Sequence, residues 1–380
     1  MSMVNPLQPD ALCRYCDPNQ FVFESTAELE ELSEIIGQKR AIEAVQFGIS
    51  IRREGYNLYV LGPHSTGKHS SVRQFLEQRA ASETTPDDWC YVNNFEQPHR
   101  PLALRLPSGQ GIALCRDMET LITELRSAIP VAFEGEDYRA RKQAIEEEFK
   151  GKQDAAFQNI QRMAKERGLA LIRSASGLAF APLKEGQVIS PEAFQKLPEA
   201  ERNRLESEVE VLQAKLEDAA RQARKWEKDL RDRIKELDRE IALLEVGYLI
   251  ADMYQTYKDL PEVVAYLRSV QKDIIQNVDD FRPKEEAAPP AMMGIPLPRN
   301  LLGPPIFRRY QVNVLIDHSA SQDTPVIYED HPTYQNLVGR LEHIVAQGGA
   351  LMTDFTLLKA GALHRANGGY LILDAHKILA

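Results

Sequence analysis

The chain has 380 residues, a length that allows two or three domains with a sizeable core. Its 56 acidic and 46 basic side chains give a net charge of −10, which argues against a nucleic-acid partner. No apolar run reaches the length of about 18 residues that a membrane span needs, and the first residues lack the apolar core of a secretory signal, so no membrane partner is expected.

The cysteines give no sign of a disulfide framework, because a chain of this size has only four. Cys13 and Cys16 form a C-x2-C pair, but no second pair follows at the spacing of a zinc site. We therefore expect reduced thiols, no bound metal and a cytoplasmic location.

Residues 1–34 form an irregular lead-in, since Pro6, Pro9 and Pro18 interrupt any helix. Ile36 and Gly37 then precede an amphipathic helical pattern over 41–49. The pattern alone is compatible with an ordinary helix start. Its position just before a phosphate-binding motif also resembles the adenine-side element of AAA+ ATPases.

Residues 56–71 predict a phosphate-binding loop between a strand and a helix. An apolar run, Leu58–Leu61, is followed by Gly62, four further residues, Gly67 and Lys68. This G-x4-G-K spacing lets backbone N–H groups hold an anion while the lysine reaches the outer phosphates. The position that should supply a Ser or Thr ligand to Mg²⁺ is His69. A helix is predicted over 70–81.

Two further strands and a helix are predicted before a change of composition. Trp89–Val92 and Leu102–Leu106 read as strands, and 114–129 as a helix that stops before Pro130. These elements and the phosphate loop make 35–130 the first part of an α/β subdomain.

Residues 131–282 predict a helical insertion. Helices are expected over 136–167 and 199–257, with lengths of about 50 Å and roughly 80–90 Å at 1.5 Å per residue. Apolar residues of the second helix alternate in steps of four and three, which is typical of a coiled-coil seam: Leu205, Val209, Leu212, Leu216, Ala219, Ala223, Trp226, Leu230, Leu237, Ile241 and Leu244.

A small β-like tip is expected between these two helices. We predict exposed apolar side chains there that could bind substrate, at Ala179, Phe180, Leu183 and Phe194. A spacer or an oligomerising coiled coil is the alternative interpretation of the hairpin.

The remaining chain resumes an α/β pattern after a proline-rich loop over 283–306. In 307–380, residues 310–317 and 325–328 read as strands that pair with each other. Residues 368–374 form an apolar strand that ends in Asp374, as a Walker B strand does. The residue after it, where AAA+ ATPases carry a catalytic glutamate, is Ala375.

Two catalytic roles are therefore missing from the predicted nucleotide site. Imidazole is a poor ligand for Mg²⁺, which prefers oxygen, so His69 does not replace a hydroxyl. Ser70 lies one residue later, turned by about 100° around the helix. The methyl group of Ala375 cannot polarise water. We expect no ATP hydrolysis and no required cofactor, although weak binding of ATP, ADP or phosphate fits the retained glycines and Lys68.

Several segments together resemble the N-terminal half of Lon-like proteases: IIGQKRAIEAVQFGISI, GYNLYVLGPHSTGKHS, PDDWCYVNNF, HPTYQNLVGRLEH and GALHRANGGYLILDA. The altered positions His69 and Ala375 resemble the ATP-independent LonC type. The resemblance implies a P-loop, AAA+-like three-layer α/β subdomain with an inserted antiparallel helical hairpin. It also implies a hexameric ring and a Ser–Lys protease domain, and the latter has no counterpart in these 380 residues.

The resemblance assigns roles to individual positions. Gly62, Gly67 and Lys68 take the Walker A positions, Asp374 the Walker B position, and Ile36 and Gly37 the adenine-side element. Two segments resemble a substrate-gripping pore loop, and their candidate residues are Tyr334, Leu337, Val338 and Gly339 in one and Met352 and Phe355 in the other.

Three functions remain in competition at this point. The first is a non-hydrolysing portion of a Lon-type serine protease that captures unfolded proteins through the hairpin. The second is a working AAA+ motor in which Ser70 and another acid restore hydrolysis. The third is a structural scaffold whose coiled coil joins subunits.

Overall fold

The computed structural model describes residues 7–13, 15–29, 37–51, 53–63, 66–174, 177–184, 187–189, 194–195, 198–282, 305–320, 323–345 and 351–379. The chain divides into two compact units, residues 1–83 and 84–380, and each is described by itself. Among the described residues no helix is both long and apolar enough to cross a bilayer. The proline-rich loop predicted over 283–306 and the adenine-side residue Ile36 fall largely or wholly outside the described residues.

The first unit is built on two helices, α1 (Lys39–Ser50) and α2 (Lys68–Ala80). Backbone angles in the left-handed region precede both, at Gly37 and Gln38 before α1 and at Gly67 before α2. Glycine adopts this region without steric cost, so the glycines fix where the chain turns into each helix. The helix predicted over 70–81 is confirmed, and it begins two residues earlier.

The sequence predicted a strand at Leu58–Leu61, and this prediction is wrong. These residues belong to no sheet in the described part of the chain, and the side chain of Leu61 is 83% exposed. A strand needs a neighbour to pair its backbone N–H and C=O groups. The described residues of the first unit offer none, since its regular elements are helices and short 3-10 turns.

The second unit is a mixed α/β structure with several small sheets. In chain order it contains β1 (Asp88–Val92), β2 (Leu102–Leu106), α3 (Gln110–Glu134), α4 (Glu136–Glu166), β3 (Leu169–Ser174), β4 (Gly177–Lys184), β5 (Gln187–Val188), α5 (Glu199–Thr256), α6 (Pro261–Gln276), β6 (Val312–Ile316), β7 (Val326–Glu329), α7 (Tyr334–Val338), β8 (Arg340–Leu341), β9 (Ile344–Val345), β10 (Leu351–Met352), β11 (Leu358–Lys359), α8 (Ala362–Arg365), β12 (Tyr370–Leu373) and α9 (Ala375–Leu379).

The main core lies between one three-stranded sheet and three helices. β1 pairs antiparallel with β2 on one side and with β6 on the other. Alternate residues of β1 point to one face, where Cys90 and Val92 pack with buried residues of α3, α5 and α6. This cluster therefore holds α3, α5 and α6 against the sheet.

α3 continues through Pro130, contrary to the expectation that it stops there. A proline inside a helix removes one backbone hydrogen bond and costs about 3 kcal/mol. Leu125 and Ile129 are fully buried in the core just before it. Their packing holds the helix in place, and α3 ends at Glu134 instead, just before Gly135, where the backbone is extended.

α4 and α5 pair side by side and run in opposite directions. Contacts from the start to the end of α4 meet progressively earlier residues of α5: Arg141 with Glu240, Glu148 with Arg233, and Met163 with Lys215. Both helix boundaries agree with the predicted ranges to within one residue. We call this pair, residues 136–241, the arm.

Most of the predicted seam of α5 faces inward. Leu212 is fully buried and Leu237 nearly so, while Leu216, Ala223 and Trp226 are half-buried. Leu244 is 67% exposed, so the seam does not extend that far. Beyond Ile241, the buried side of α5 turns to Ala242, Val246 and Ile250, because the helix there packs on α3 and α6 instead of α4.

Near the end of the chain, β7 and β12 form a parallel pair. The expected pairing of 325–328 with 310–317 is wrong, because β6 pairs with β1 and β7 with β12. The apolar strand predicted over 368–374 is confirmed as β12. Two short antiparallel ladders, β8 with β11 and β9 with β10, lie between them in the chain.

Candidate functional site

The phosphate-loop residues lie at the start of α2 in the first unit. The ammonium of Lys68 donates a hydrogen bond to the backbone carbonyl of Gly62, at 2.7 Å. The hydroxyl of Ser71 donates to the carbonyl of Gly67, at 2.8 Å. Lys68 therefore links the start of α2 to the beginning of the loop, and this hydrogen bond uses one of the three N–H donors of its ammonium.

His69 and Ser70 follow in the first turn of α2, and both are exposed. Gly67 adopts φ 73°, and among the described residues, its two chain neighbours aside, no atom lies within 4 Å of the place where a Cβ would stand. The loop thus keeps an open glycine position at a helix N-terminus, the backbone feature of an anion site. The hydroxyl expected next to the lysine is absent.

Asp374 lies in the second unit, at the carboxyl end of β12. Its carboxylate accepts the backbone N–H of His376 at 3.0 Å and so caps α9, whose first residue is Ala375. Lys68 belongs to the first unit and Asp374 to the second.

The donor set does not fit Mg²⁺-dependent hydrolysis of a nucleotide. Asp374 is an oxygen ligand of the right kind, but one of its oxygens already caps a helix. His69 offers nitrogen where the ion requires oxygen. Ala375 has no group that accepts a proton from water.

The edge of the β7–β12 pair carries charged residues that the sequence motifs did not indicate. Asp330 follows β7 and contacts the ammonium of Lys377 at 2.5 Å, and Glu329 pairs with Arg365 at 2.8 Å. The hydrogen bond from Lys377 lowers the pKa of the Asp330 carboxyl. The signal in the sequence was a pair of acidic residues at the end of an apolar strand, Glu329 as its last residue and Asp330 just after it. The pair became informative only with the parallel pairing of β7 and β12.

The first candidate pore segment forms the short helix α7. Tyr334 is 78% exposed, Val338 is exposed and Leu337 is half-buried. Gly339 adopts φ 98°, and a Cβ there would stand 2.5 Å from the carbonyl of Lys359. The packing of this turn therefore requires a glycine here, independently of any role in a pore loop.

The second candidate pore segment is divided between an exposed hairpin and an anchored turn. Met352 lies on β10 and is 48% exposed, beside Leu351 at 69%. Phe355 is half-buried, and the side-chain amide of Asn313 donates to its carbonyl at 2.7 Å. Leu351 is thus better placed than Phe355 to contact another chain.

The tip of the arm is a three-stranded antiparallel sheet in the order β3-β4-β5. Phe180 packs against the buried cluster of Ala164, Leu169 and Leu212, so it is not exposed as expected. Ala179, Leu183 and Phe194 are also only half-exposed. Phe180 is covered because it faces the ends of the two helices.

Other apolar side chains of the tip are more exposed than the four predicted ones. Ile172, Leu178 and Val188 are 36%, 45% and 48% exposed. Residues directly opposite in an antiparallel pair share a face, and Ile172 stands opposite Ala179 while Val188 stands opposite Leu183. These two opposed pairs therefore lie on the face of the sheet away from Phe180.

Where the arm meets the core, a buried polar group accompanies the apolar seam. The hydroxyl of Tyr138 donates to the carboxylate of Asp238 at 2.7 Å. Burial and this hydrogen bond raise the pKa of Tyr138 to about 12.

No group of three or more His, Cys, Asp or Glu side chains within the described ranges is arranged to hold a metal ion.

Two family models match parts of the chain. The model described as the LonB-like AAA domain matches residues 322–380, which contain β7, β12 and Asp374. The model described as the Lon-like LonC helical domain matches residues 88–121, which contain β1, β2 and the first half of α3. A search of curated proteins found no significant match. These two matches support a Lon-like protease family of the LonC type for this chain.

Proposed function

We propose that this chain is the substrate-receiving portion of a Lon-type serine protease and that it captures unfolded polypeptides through the tip of the arm. The observation that carries the proposal is the apolar tip sheet at the end of a charged shaft. Ile172 and Val188 expose apolar surface on the face of the sheet away from Phe180, and Leu178 does so on the other face. Exposed apolar side chains at the end of an element are candidates for a binding surface.

The shaft supports this role through its charge. Its outer side chains form exposed ion pairs, including Arg141–Glu240 and Arg233–Glu148. Exposed pairs of this kind contribute little stability, typically about 0–1 kcal/mol each. They keep the shaft hydrated. We interpret the paired helices as an inserted coiled-coil hairpin on an AAA+-like three-layer subdomain.

We propose further that capture proceeds without ATP hydrolysis. His69 replaces the Mg²⁺-binding hydroxyl, Ala375 replaces the catalytic acid, and Lys68 is engaged with the carbonyl of Gly62. Loss of a positioned catalytic group costs roughly two to four orders of magnitude in rate. Two such losses reduce turnover below a useful level, so only chains that are already unfolded would be processed.

In the full-length protein, this portion would form a hexameric ring above a proteolytic chamber. The exposed residues Tyr334, Leu351 and Met352 are then candidates for contacts with a threading chain. The client is recognised by accessible apolar segments and not by a particular sequence. No nucleic acid or membrane takes part.

The capture proposal is tested by light scattering of an aggregating, chemically denatured client protein. Deletion of the entire insertion is unsuitable, because Val246, Ile250 and Met253 of α5 belong to the main core. The test variant instead carries Ile172→Ser, Leu178→Ser and Val188→Ser. The matched control carries Phe157→Ser and Val211→Ser, which change shaft residues that are 40% and 44% exposed.

We expect the control to suppress aggregation as the unchanged chain does, and the tip variant to lose most of this activity. Equal suppression by both variants would show that the tip is not the binding surface. A steady-state ATPase assay tests the second half of the proposal. Turnover that Lys68→Ala abolishes would overturn it.

A further inference from the structure

Only one of the two arm helices is interrupted where the arm leaves the core. α3 ends at Glu134 and α4 begins at Glu136, and between them Gly135 is extended, with φ −62° and ψ 150°. α5 runs without a break from Glu199 to Thr256. A change in the angle between α3 and α4 would therefore be concentrated at Gly135.

Four side chains from four segments close a ring around this break. Phe133 of α3 and Tyr138 of α4 stand edge to face, with ring centroids 4.9 Å apart and planes at 82°. The hydroxyl of Tyr138 donates to Asp238 of α5 at 2.7 Å. Arg282, which follows α6, contacts the same carboxylate at 2.9 Å and lies 3.8 Å from the centre of the Phe133 ring. We call Phe133, Tyr138, Asp238 and Arg282 the hinge ring.

The hinge ring is partly withdrawn from water. Tyr138 is 7% exposed and Asp238 is 9% exposed, and both lie beside the buried residues Leu237 and Ile241. A buried carboxylate is costly unless a cation and hydrogen-bond donors satisfy it. Tyr138 donates to Asp238 only while α4 keeps its present angle to the core, so bending at Gly135 would remove this hydrogen bond and leave the buried carboxylate with Arg282 alone.

We propose that the hinge ring locks the arm at one angle to the helical core, and that Phe133, Tyr138, Asp238 and Arg282 are positioning residues for the tip. That this angle matters for capture rests on the proposed function. That the ring fixes the angle does not depend on the proposed function. An apolar seam alone tolerates small rotations, because its contacts are not directional. The hydrogen bond and the cation–π contact of the ring are directional.

The lock is tested by measuring the distance between two spin labels in the whole chain without any client. Exposed positions Glu217 on the arm and Lys272 on α6 are changed to cysteine in a background with Cys13, Cys16 and Cys115 replaced by serine. The locked chain should give one narrow distance distribution. Asp238→Asn keeps the side-chain volume but removes the charge that Arg282 contacts, and it should at least double the width of the distribution.

Tyr138→Phe serves as a second variant, because it removes only the hydroxyl, and it should also broaden the distribution. The matched control is Glu240→Gln, two residues from Asp238, which breaks an exposed arm contact to Arg141 that does not reach the core. The control should keep the narrow distribution. If Asp238→Asn loses helical content by circular dichroism, Tyr138→Phe decides the result.

An unchanged width in the helical variants would overturn the lock. Because no client is present, this outcome is independent of whether the tip captures unfolded chains.

Discussion

At the scale of single residues, the buried carboxylate of Asp88 joins three parts of the core. It is fully buried and accepts backbone N–H groups from Gly111 at the start of α3 and from His318 after β6, each at 2.9 Å. A negative charge at a helix N-terminus is favourable, and two hydrogen bonds offset its removal from water. Asp88 therefore fixes the start of α3 against the sheet.

Gly111 is required by this contact, which gives the first prediction. A Cβ at Gly111 would stand 3.1 Å from Asp88 Oδ2 and 3.2 Å from Cys90 Sγ. Gly111→Ala should lower the free energy of unfolding by about 1–3 kcal/mol, the usual cost of overpacking a core. Urea denaturation followed by the fluorescence of nearby Trp89 measures this change.

Gly151→Ala is the matched control. Gly151 lies within α4, and no atom lies within 4 Å of the place where a Cβ would stand. This change should stabilise the arm by about 0.5–1 kcal/mol, because alanine loses less conformational freedom in a helix. Equal effects of the two substitutions would contradict the role given to Asp88.

The second prediction concerns alkaline pH. Burial raises the pKa of Cys90 from 9.0 to about 12, and burial together with Asp238 raises the pKa of Tyr138 from 10.0 to about 12. Burial also raises the pKa values of Tyr257, Tyr266 and Tyr310. Between pH 9 and 12 the folded chain holds protons that the unfolded chain releases, so stability falls as pH rises through this window.

Urea denaturation from about pH 8 to about pH 11, at constant ionic strength, should show a decreasing free energy of unfolding. Tyr138→Phe should reduce the slope, since it removes one of the groups whose proton is retained. A constant free energy over this range would contradict the assigned burial of these side chains.

At the scale of elements, the sequence predicted the helices and strands that are encoded by neighbouring residues. The bounds of α4 and α5 follow from repeated apolar spacing, and β1, β2 and β12 from short apolar runs beside turn residues. Pairing depends on distant parts of the chain, so the partner of β7 was not predictable from its own residues. The same limit explains why Leu244 was wrongly predicted to lie in the buried seam. Its exposure depends on where α5 stops packing against α4.

The candidate site was predictable to the same degree. The positions of Lys68 at a helix start and Asp374 at a strand end follow from local patterns, and the structure agrees with both. The exposure of the tip was not predictable, because Phe180 is covered by Leu169 and Leu212, more than ten residues away on either side. The hinge ring joins α3, α4, α5 and the segment after α6, and nothing in any one of them indicates it.

The third prediction concerns the attachment of the tip to the shaft. Leu212 is fully buried beside Ala164 and Leu169 under the tip sheet. Leu212→Ala should destabilise this cluster by about 2–5 kcal/mol and open the sheet locally. Faster amide hydrogen exchange in β3 and β4 should report the opening.

Glu206→Gln is the control for this prediction, because Glu206 lies on the same helix and is 58% exposed in a weak pair with Arg202. Its effect on exchange in β3 and β4 should be small, since exposed pairs contribute about 0–1 kcal/mol. Unchanged exchange in Leu212→Ala would mean that the tip folds independently of the shaft.

At the scale of the whole molecule, the main buried cluster and the cluster under the tip lie in different parts of the second unit. The largest buried cluster lies entirely within residues 84–380 and joins the sheet of β1, β2 and β6 to the helices at the base of the arm. The tip has only a small cluster of its own. In the proposed function, the large cluster keeps the base of the arm folded while the tip contacts unfolded clients.

Site-specific photocrosslinking at the tip tests the central claim of capture without ATP most directly. A photoreactive phenylalanine derivative replaces Leu178 at the tip or, as the matched control, Val211 on the shaft, which are 45% and 44% exposed. An unfolded client should crosslink strongly at position 178 and weakly at 211, with the same yield with and without ATP, and the folded client should not crosslink. Equal yields at the two positions, or crosslinking at 178 that requires ATP, would contradict the account.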